Sequence, residues 1–263
     1  MIDLIEGDCL EVMKTIQDKS IDAIITDPPY GTTACKWDSV IPFEPMWEQL
    51  NRIIKPNGAI VLFGSEPFSS ALRMSNLKMF KYDWIWSKKM KTGFANAKYM
   101  PMKSHEIISI FNCNKKYNPQ MVERTEKELK RLSKKSVTTT VSDQIPYMVG
   151  KTLNRTTNKY KYPNSIINIT GVMNRSKEKV KHPTQKPIAL MEYLIKTYTN
   201  ENETVLDFTM GSGSTMVACQ NTNRNGIGIE KDKNYFKIAE KRIEENKYKL
   251  FPSHDLLVFL PIP

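Results

Sequence analysis

Val205-Leu206-Asp207-Phe208-Thr209-Met210-Gly211-Ser212-Gly213-Ser214-Thr215 reads as the end of a buried strand, a glycine turn and the start of a helix. Glycines there let the backbone approach a ligand closely, and the helix N-terminus favours a negative group. Glu230 stands 23 residues beyond Asp207, at the end of the next apolar run, Gly226 to Ile229. A carboxylate at that point can accept hydrogen bonds from two ribose hydroxyls. Together these features point to a nucleoside-containing cofactor. A nicotinamide dinucleotide would want a third glycine near Met216, where none stands. A tight turn without a ligand is the plainer alternative.

Around this stretch, strands alternate with helices. Pro187 suits the first turn of a helix running to about Tyr198, Thr204 to Leu206 is a strand, and a helix spans Ser214 to Gln220. Asp232 can cap a last helix with apolar positions Tyr235, Ile238, Ala239 and Ile243. The first ninety residues have the same style. Ile2 to Ile5 ends at Gly7-Asp8, and Ala23 to Thr26 ends at Asp27-Pro28-Pro29. Phe43 to Ile54 has helical spacing, Pro56-Asn57-Gly58 is the expected stop, and Ala59 to Phe63 follows as a strand. A helix from about Pro67 to Leu77 and strands at Tyr82 to Trp86 and His105 to Phe111 complete this half. The expected fold is α/β: a Rossmann-like, mostly parallel, doubly wound sheet.

Charge divides the chain. Its net +11 is concentrated between Lys88 and Lys186, where 22 Lys and Arg face 6 Asp and Glu, and the remainder is net −5. A basic block of this size argues for a polyanionic partner, because each cation near a phosphate releases a condensed counterion. A solvated basic surface is the simpler alternative. The stretch is polar and aperiodic apart from an expected exposed helix at Met121 to Lys135. We therefore expect a core from 1–111 and 182–250, an inserted basic region at 112–181, and an apolar tail at 251–263 of undetermined role. No run of 18 apolar residues and no basic-then-apolar N-terminus is found, so a cytoplasmic protein without membrane contact is expected. Cys9, Cys35, Cys113 and Cys219 are scattered with no C-x-x-C pair, which suggests reduced thiols and no metal site.

Asp27-Pro28-Pro29-Tyr30 closes a buried strand. Paired prolines stiffen the turn and remove two donors, leaving the Asp27 carboxylate and the Pro28 carbonyl to face a ligand as acceptors, an arrangement suited to an amino group. Tyr30 adds a face on which a base can stack. Alone, the tetrapeptide would be an ordinary turn. In a parallel sheet, however, it shares one edge with the glycine turn, so the two motifs can form a single site.

Asp27-Pro28-Pro29-Tyr30, Gly211-Ser212-Gly213, Glu230 and His182-Pro183-Thr184-Gln185-Lys186-Pro187 together resemble the motif set of the amino-group DNA methyltransferases, adenine-N6 or cytosine-N4. The order, with the tetrapeptide before the basic region and the cofactor turn after it, resembles their β group. The resemblance implies S-adenosylmethionine as cofactor and double-stranded DNA as partner. Asp27 and the Pro28 carbonyl would hold the target amino group and Tyr30 would stack on a flipped-out base, with Pro29 completing the tetrapeptide. Asp207, Gly211, Ser212 and Gly213 would surround the methionine part, Glu230 the ribose and Asp8 the adenine, with Lys186 near the methionine carboxylate. Where the family usually shows Phe two residues before the first glycine, this chain has Thr209; Phe208, one place earlier, is the candidate for that contact.

The implied reaction is direct methyl transfer to the amino nitrogen, with hydrogen bonds stabilising the charge that develops there. No cysteine follows a proline, which argues against methylation at cytosine carbon 5. Asp at position 27 favours adenine over cytosine, since Ser is common there in the cytosine-N4 relatives. The basic region corresponds to the family's target-recognition region, with Arg155, Lys159 and Arg175 as DNA contacts by composition. RNA or protein-glutamine methylation, a catalytically silent nucleic-acid-binding module and a dehydrogenase are the rival readings. A homodimer and a cognate restriction endonuclease remain open.

Overall fold

The structure, a computed structural model, describes residues 1–32, 38–113, 116–133 and 159–250. The expected tail, Arg155 and Cys35 lie outside the described residues. Two compact units are present: Met1–Asn118 with Ser165–Pro263, and Pro119–Asn164. Of the insert expected at 112–181, residues 112–118 and 165–181 group with the first unit.

The first unit holds strands β1 (Ile2–Glu6), β2 (Ile21–Thr26), β3 (Ile54–Gly64), β4 (Phe80–Thr92) and β5 (Lys103–Phe111). In the second unit β6 (Val122–Glu123) pairs antiparallel with β7 (Tyr160–Lys161). Back in the first unit come β8 (Ile166–Asn168), β9 (Thr204–Asp207) and β10 (Asn225–Glu230). The eight-stranded sheet runs β1-β10-β9-β2-β3-β5-β4-β8. It is parallel from β1 to β3, and β5 lies antiparallel between β3 and β4. The expected parallel, doubly wound sheet is therefore present, with this antiparallel hairpin beside β3.

Helices cover both faces. On one side are α1 (Cys9–Met13), α2 (Phe43–Ile53) and α3 (Phe68–Ser75); on the other are α5 (Ile188–Tyr198), α6 (Ser214–Asn221) and α7 (Lys233–Leu250), while α4 (Glu126–Ser133) belongs to the second unit. Every residue of β2 is buried, as expected of a parallel strand covered on both faces. Its side chains alternate: Ala23 and Ile25 join the cluster under α5 and α6, whereas Ile24 joins Met46, Leu50 and Ile53 of α2. Each such fully buried Leu or Ile contributes about 1.5–3 kcal/mol.

Three details differ from expectation. Pro56-Asn57-Gly58 does not stop the helix; α2 ends at Ile53, Ile54 already pairs with Ile21, and the chain loops out before pairing resumes at Ala23↔Ala59. Gly58 is required there, since a Cβ would lie 2.7 Å from the Asp22 carbonyl oxygen. The helix expected from 121 starts later because Thr125 forms a capping box: the Glu128 carboxylate accepts from Thr125 N at 2.8 Å and Thr125 Oγ1 accepts from Glu128 N at 3.3 Å. Finally, β8 adds to β4 a short strand that the polar sequence around it conceals. No helix among the described residues is long and apolar enough to cross a membrane.

Candidate active site

β2 and β9 are neighbouring parallel strands with Ile24 opposite Leu206, so Asp27 and Thr209 leave the sheet side by side. From this pair the chain proceeds in opposite directions, β2 to β3 on one side and β9 to β10 on the other, with β1 beyond β10. Such a reversal opens a crevice at the carboxyl ends of the strands. Here the crevice is a cleft of about 530 Å³, within the range of small-ligand sites. Asp8, Asp27, Pro28, Pro29, Tyr30, Lys186, Asp207, Phe208, Gly211, Ser212 and Glu230 all line it.

Gly211 (φ +52°) and Gly213 (φ +77°) occupy the left-handed region, and a Cβ on either would meet His182 Nε2 at 2.8 Å or the Ala239 Cβ at 2.9 Å. The turn is therefore fixed by backbone geometry and close packing together. Glu230 braces it: one carboxylate oxygen accepts from Gly211 N at 2.9 Å, the other from Asp232 N at 2.8 Å. Burial holds the Glu230 carboxyl above its ordinary value. From beneath, buried Arg242 donates to the Ser212 carbonyl at 2.5 Å and reaches Ser212 Oγ at 3.1 Å. Asp8 caps α1 by accepting from Leu10 N at 3.0 Å, and the hydrogen bond from Lys231 at 3.0 Å is the main cause of its lowered pKa.

Asp207 is 3% exposed, and its carboxylate accepts from the hydroxyls of Thr26 and Thr215 and from Thr209 N. Burial pushes its pKa up to about 6. In this structure its oxygens brace the turn. Thr209 Oγ1 donates to the Asp27 carbonyl at 3.1 Å and so ties the glycine turn to the Asp27-Pro28-Pro29-Tyr30 tetrapeptide. Phe208 is 1% exposed, in the core beneath the cleft with Leu206 and Ile229.

In the other half of the cleft, Tyr30 OH and Lys186 Nζ each donate to a different oxygen of Asp27. The Tyr30 ring stacks on Phe68 at 5.1 Å, and its loop is pinned by Asp38, which accepts from the backbone N–H groups of Tyr30 (2.7 Å), Gly31 (2.9 Å) and Thr32 (2.9 Å). Lys186, expected beside the methionine carboxylate, here lies on Asp27, with Glu106 Oε2 at 3.5 Å and the Phe63 ring centroid at 5.3 Å. Glu106 also pairs with Lys88. Burial raises the Asp27 carboxyl, with Lys186 opposing it. Burial alone would lower the Lys186 ammonium, but Asp27 and Glu106 outweigh it and hold it above the ordinary lysine value.

Sequence reasoning missed Glu106, Lys88, Asp38, Thr26 and Arg242. It named Lys159 and Arg175 as DNA contacts; both are exposed, and Lys159 pairs with Glu123 at 2.7 Å. Neither lines the cleft.

The family profile described as DNA methylase matches residues 21–241. The chain is 29% identical over 265 residues to the type II methyltransferase M.HpaI of Haemophilus parainfluenzae, covering 96% of this chain and 77% of that protein. It resembles the crystal structure of an M1.HpyAVI–SAM complex with a TM-score of 0.61 at 27% identity, covering 92% of this chain and 100% of that one. The PvuII DNA methyltransferase, titled cytosine-N4-specific, shares the fold at a TM-score of 0.62 and 14% identity, over 95% of this chain and 92% of its own. With the matched profile running from β2 into α7 and taking in both the Asp27 tetrapeptide and the glycine turn, the chain belongs to the DNA methylase family.

Proposed function

We propose that this DNA methylase uses S-adenosylmethionine to methylate the N6 amino group of adenine, at specific sites in duplex DNA, on a nucleotide turned out of the helix. The observation that supports it most is the meeting of Asp27 and the glycine turn in one cleft, joined by the Thr209 hydrogen bond to the Asp27 carbonyl.

The cofactor's chemistry fits the residues present. Glu230 is a half-buried acceptor suited to ribose hydroxyls, Asp8 lies at the far end for the adenine, and the start of α6 offers backbone donors to a carboxylate. Bound there, S-adenosylmethionine supplies an electrophilic methyl group. The protein's own part is to hold the nucleophile. The Asp27 carboxylate and the Pro28 carbonyl accept from the two amino N–H groups, favour a more pyramidal nitrogen and stabilise its growing positive charge. Asp27, with its pKa raised by burial, then stands ready to take the surplus proton. Tyr30 holds Asp27 through its hydroxyl and offers the ring face opposite Phe68 to the base. Turning the nucleotide out costs about a few kcal/mol, offset by stacking and backbone contacts. The inserted basic region, 112–181, supplies target recognition.

The direct test is to incubate the protein with unmethylated genomic DNA and S-adenosylmethionine and identify the modified nucleoside by mass spectrometry. N6-methyladenine is the expected product. N4-methylcytosine would retain the site and overturn the base, and methylation of competing structured RNA in preference to duplex DNA would overturn the substrate.

A further inference from the structure

We propose that Lys186 is a gate on the catalytic carboxylate and that Glu106 is a positioning residue which takes Lys186 when the target amino group arrives. This rests on the reading of Asp27 as the acceptor for that amino group.

Both Asp27 oxygens are already engaged in this structure, one by Tyr30 OH and the other by Lys186 Nζ. An amino group that is to donate to Asp27 must displace one of them. Tyr30 is held in place by stacking on Phe68 and by the Asp38 clasp on its backbone. Lys186, in contrast, has a second acceptor beside it. Glu106 Oε2 is fully buried and ion-paired to Nζ at 3.5 Å without a well-formed hydrogen bond, while Oε1 is taken by Lys88. A buried carboxylate oxygen without a hydrogen bond is costly. A short swing of the Lys186 side chain satisfies it.

The charges favour the swing. Asp27, Glu106, Lys88 and Lys186 form a cluster with two charges of each sign, so moving Lys186 from one carboxylate to the other changes no net charge. It does change what the reacting nitrogen meets. With Lys186 on Asp27, a nitrogen gaining positive charge faces a neutralised carboxylate and a nearby ammonium. With Lys186 on Glu106, Asp27 offers its full charge where it is needed. The other titratable groups facing this cluster are Tyr30, Asp38, His182 and Asp207.

The test is a comparison of Glu106→Gln, Glu106→Asp, Lys186→Met and the Glu106→Gln/Lys186→Met double variant. Wild-type transfer and an inactive Asp27→Ala control first establish the underlying reading on its own. With Glu106→Gln, Lys186 stays on Asp27, and kcat falls at least about tenfold while S-adenosylmethionine affinity is unchanged. Glu106→Asp restores most of the loss. The double variant is faster than Glu106→Gln, because no ammonium remains to occupy Asp27. A double variant no faster than the single, or a Glu106→Gln enzyme with wild-type kcat, overturns the gate. Should Glu106→Gln fail to fold, Lys186→Met decides: the gate requires the acid limb of the kcat profile to move to higher pH at saturating cofactor. A rise in KM for S-adenosylmethionine with an unmoved profile would assign Lys186 to the cofactor and overturn it.

Discussion

The two halves of the cleft each hold a pair of carboxylates, Glu230 with Asp207 and Asp27 with Glu106, and they hold them in different ways. On the glycine-turn side, Glu230 accepts from two backbone N–H groups and Asp207 from two hydroxyls and one N–H, so each acid braces the chain with neutral donors. On the tetrapeptide side, Asp27 and Glu106 meet Lys186 and Lys88, a buried exchange of full charges between two residues of the β4–β5 hairpin, one at the end of β2 and one just before α5. Neutral donors fix a shape, and they suit a surface that binds one ligand. Paired charges can trade partners, and they suit a site where charge appears and disappears during turnover.

If this contrast is right, the largest effect belongs to the charged half. Asp27→Ala is expected to lower turnover by about 10²–10³-fold, the scale of removing a group aimed at developing charge, measured by methyl incorporation into DNA. Next is Glu230→Ala, which removes the acceptor of two backbone bonds and, on the proposed reading, of the ribose hydroxyls. Titration calorimetry should show S-adenosylmethionine affinity weakened by about 10- to 100-fold, at about 1.5–3 kcal/mol for a hydrogen bond to a charged group. If Glu230→Ala instead lowered kcat at saturating cofactor with no change in affinity, the division between the halves would fail.

Gly213→Ala tests shape alone. At φ +77°, with Ala239 2.9 Å from the added methyl, it should cost about 1–3 kcal/mol of stability in denaturant unfolding. A pH-dependent effect of similar size concerns Asp207. Its folded pKa of about 6 lies above the ordinary 3.8, so the folded state binds the proton more tightly. Its contribution is fully present below about pH 4 and is lost as pH rises through 6. Relative to Asp207→Asn, the wild type should therefore lose melting temperature between pH 4 and 6; a parallel course of the two would refute the shift.

The glycine-turn half was legible in the sequence because its signals are local. Gly211, Gly213 and the acid ending each strand lie within one β9-turn-α6-β10 unit, and the buried runs mark strands without ambiguity. Asp27-Pro28-Pro29-Tyr30 was legible for the same reason. What escaped notice depends on distance. Glu106 sits in Lys103–Phe111, where a charged residue beside Ile107 reads as a solvent-facing position; only the hairpin pairing with Trp86 and the approach of Lys186, 80 residues on, make it part of the site. Asp38 is an ordinary loop acid until Gly31 folds the tetrapeptide's backbone onto it. Pro56-Asn57-Gly58 misled because a turn signal marks a turn, not the kind of element on either side: here it is a loop inside the pairing of β2 with β3. Thr209 was legible as a departure from the family pattern, and its use, a hydroxyl bond to the Asp27 carbonyl, became visible only in three dimensions.

The most direct test of the division between the halves is calorimetric titration of S-adenosylmethionine into wild-type, Asp27→Ala and Glu230→Ala protein, with no DNA present. Wild type and Asp27→Ala should bind with the same affinity within about threefold and Glu230→Ala at least about tenfold more weakly. Loss of cofactor binding in Asp27→Ala, or wild-type affinity in Glu230→Ala, would contradict it.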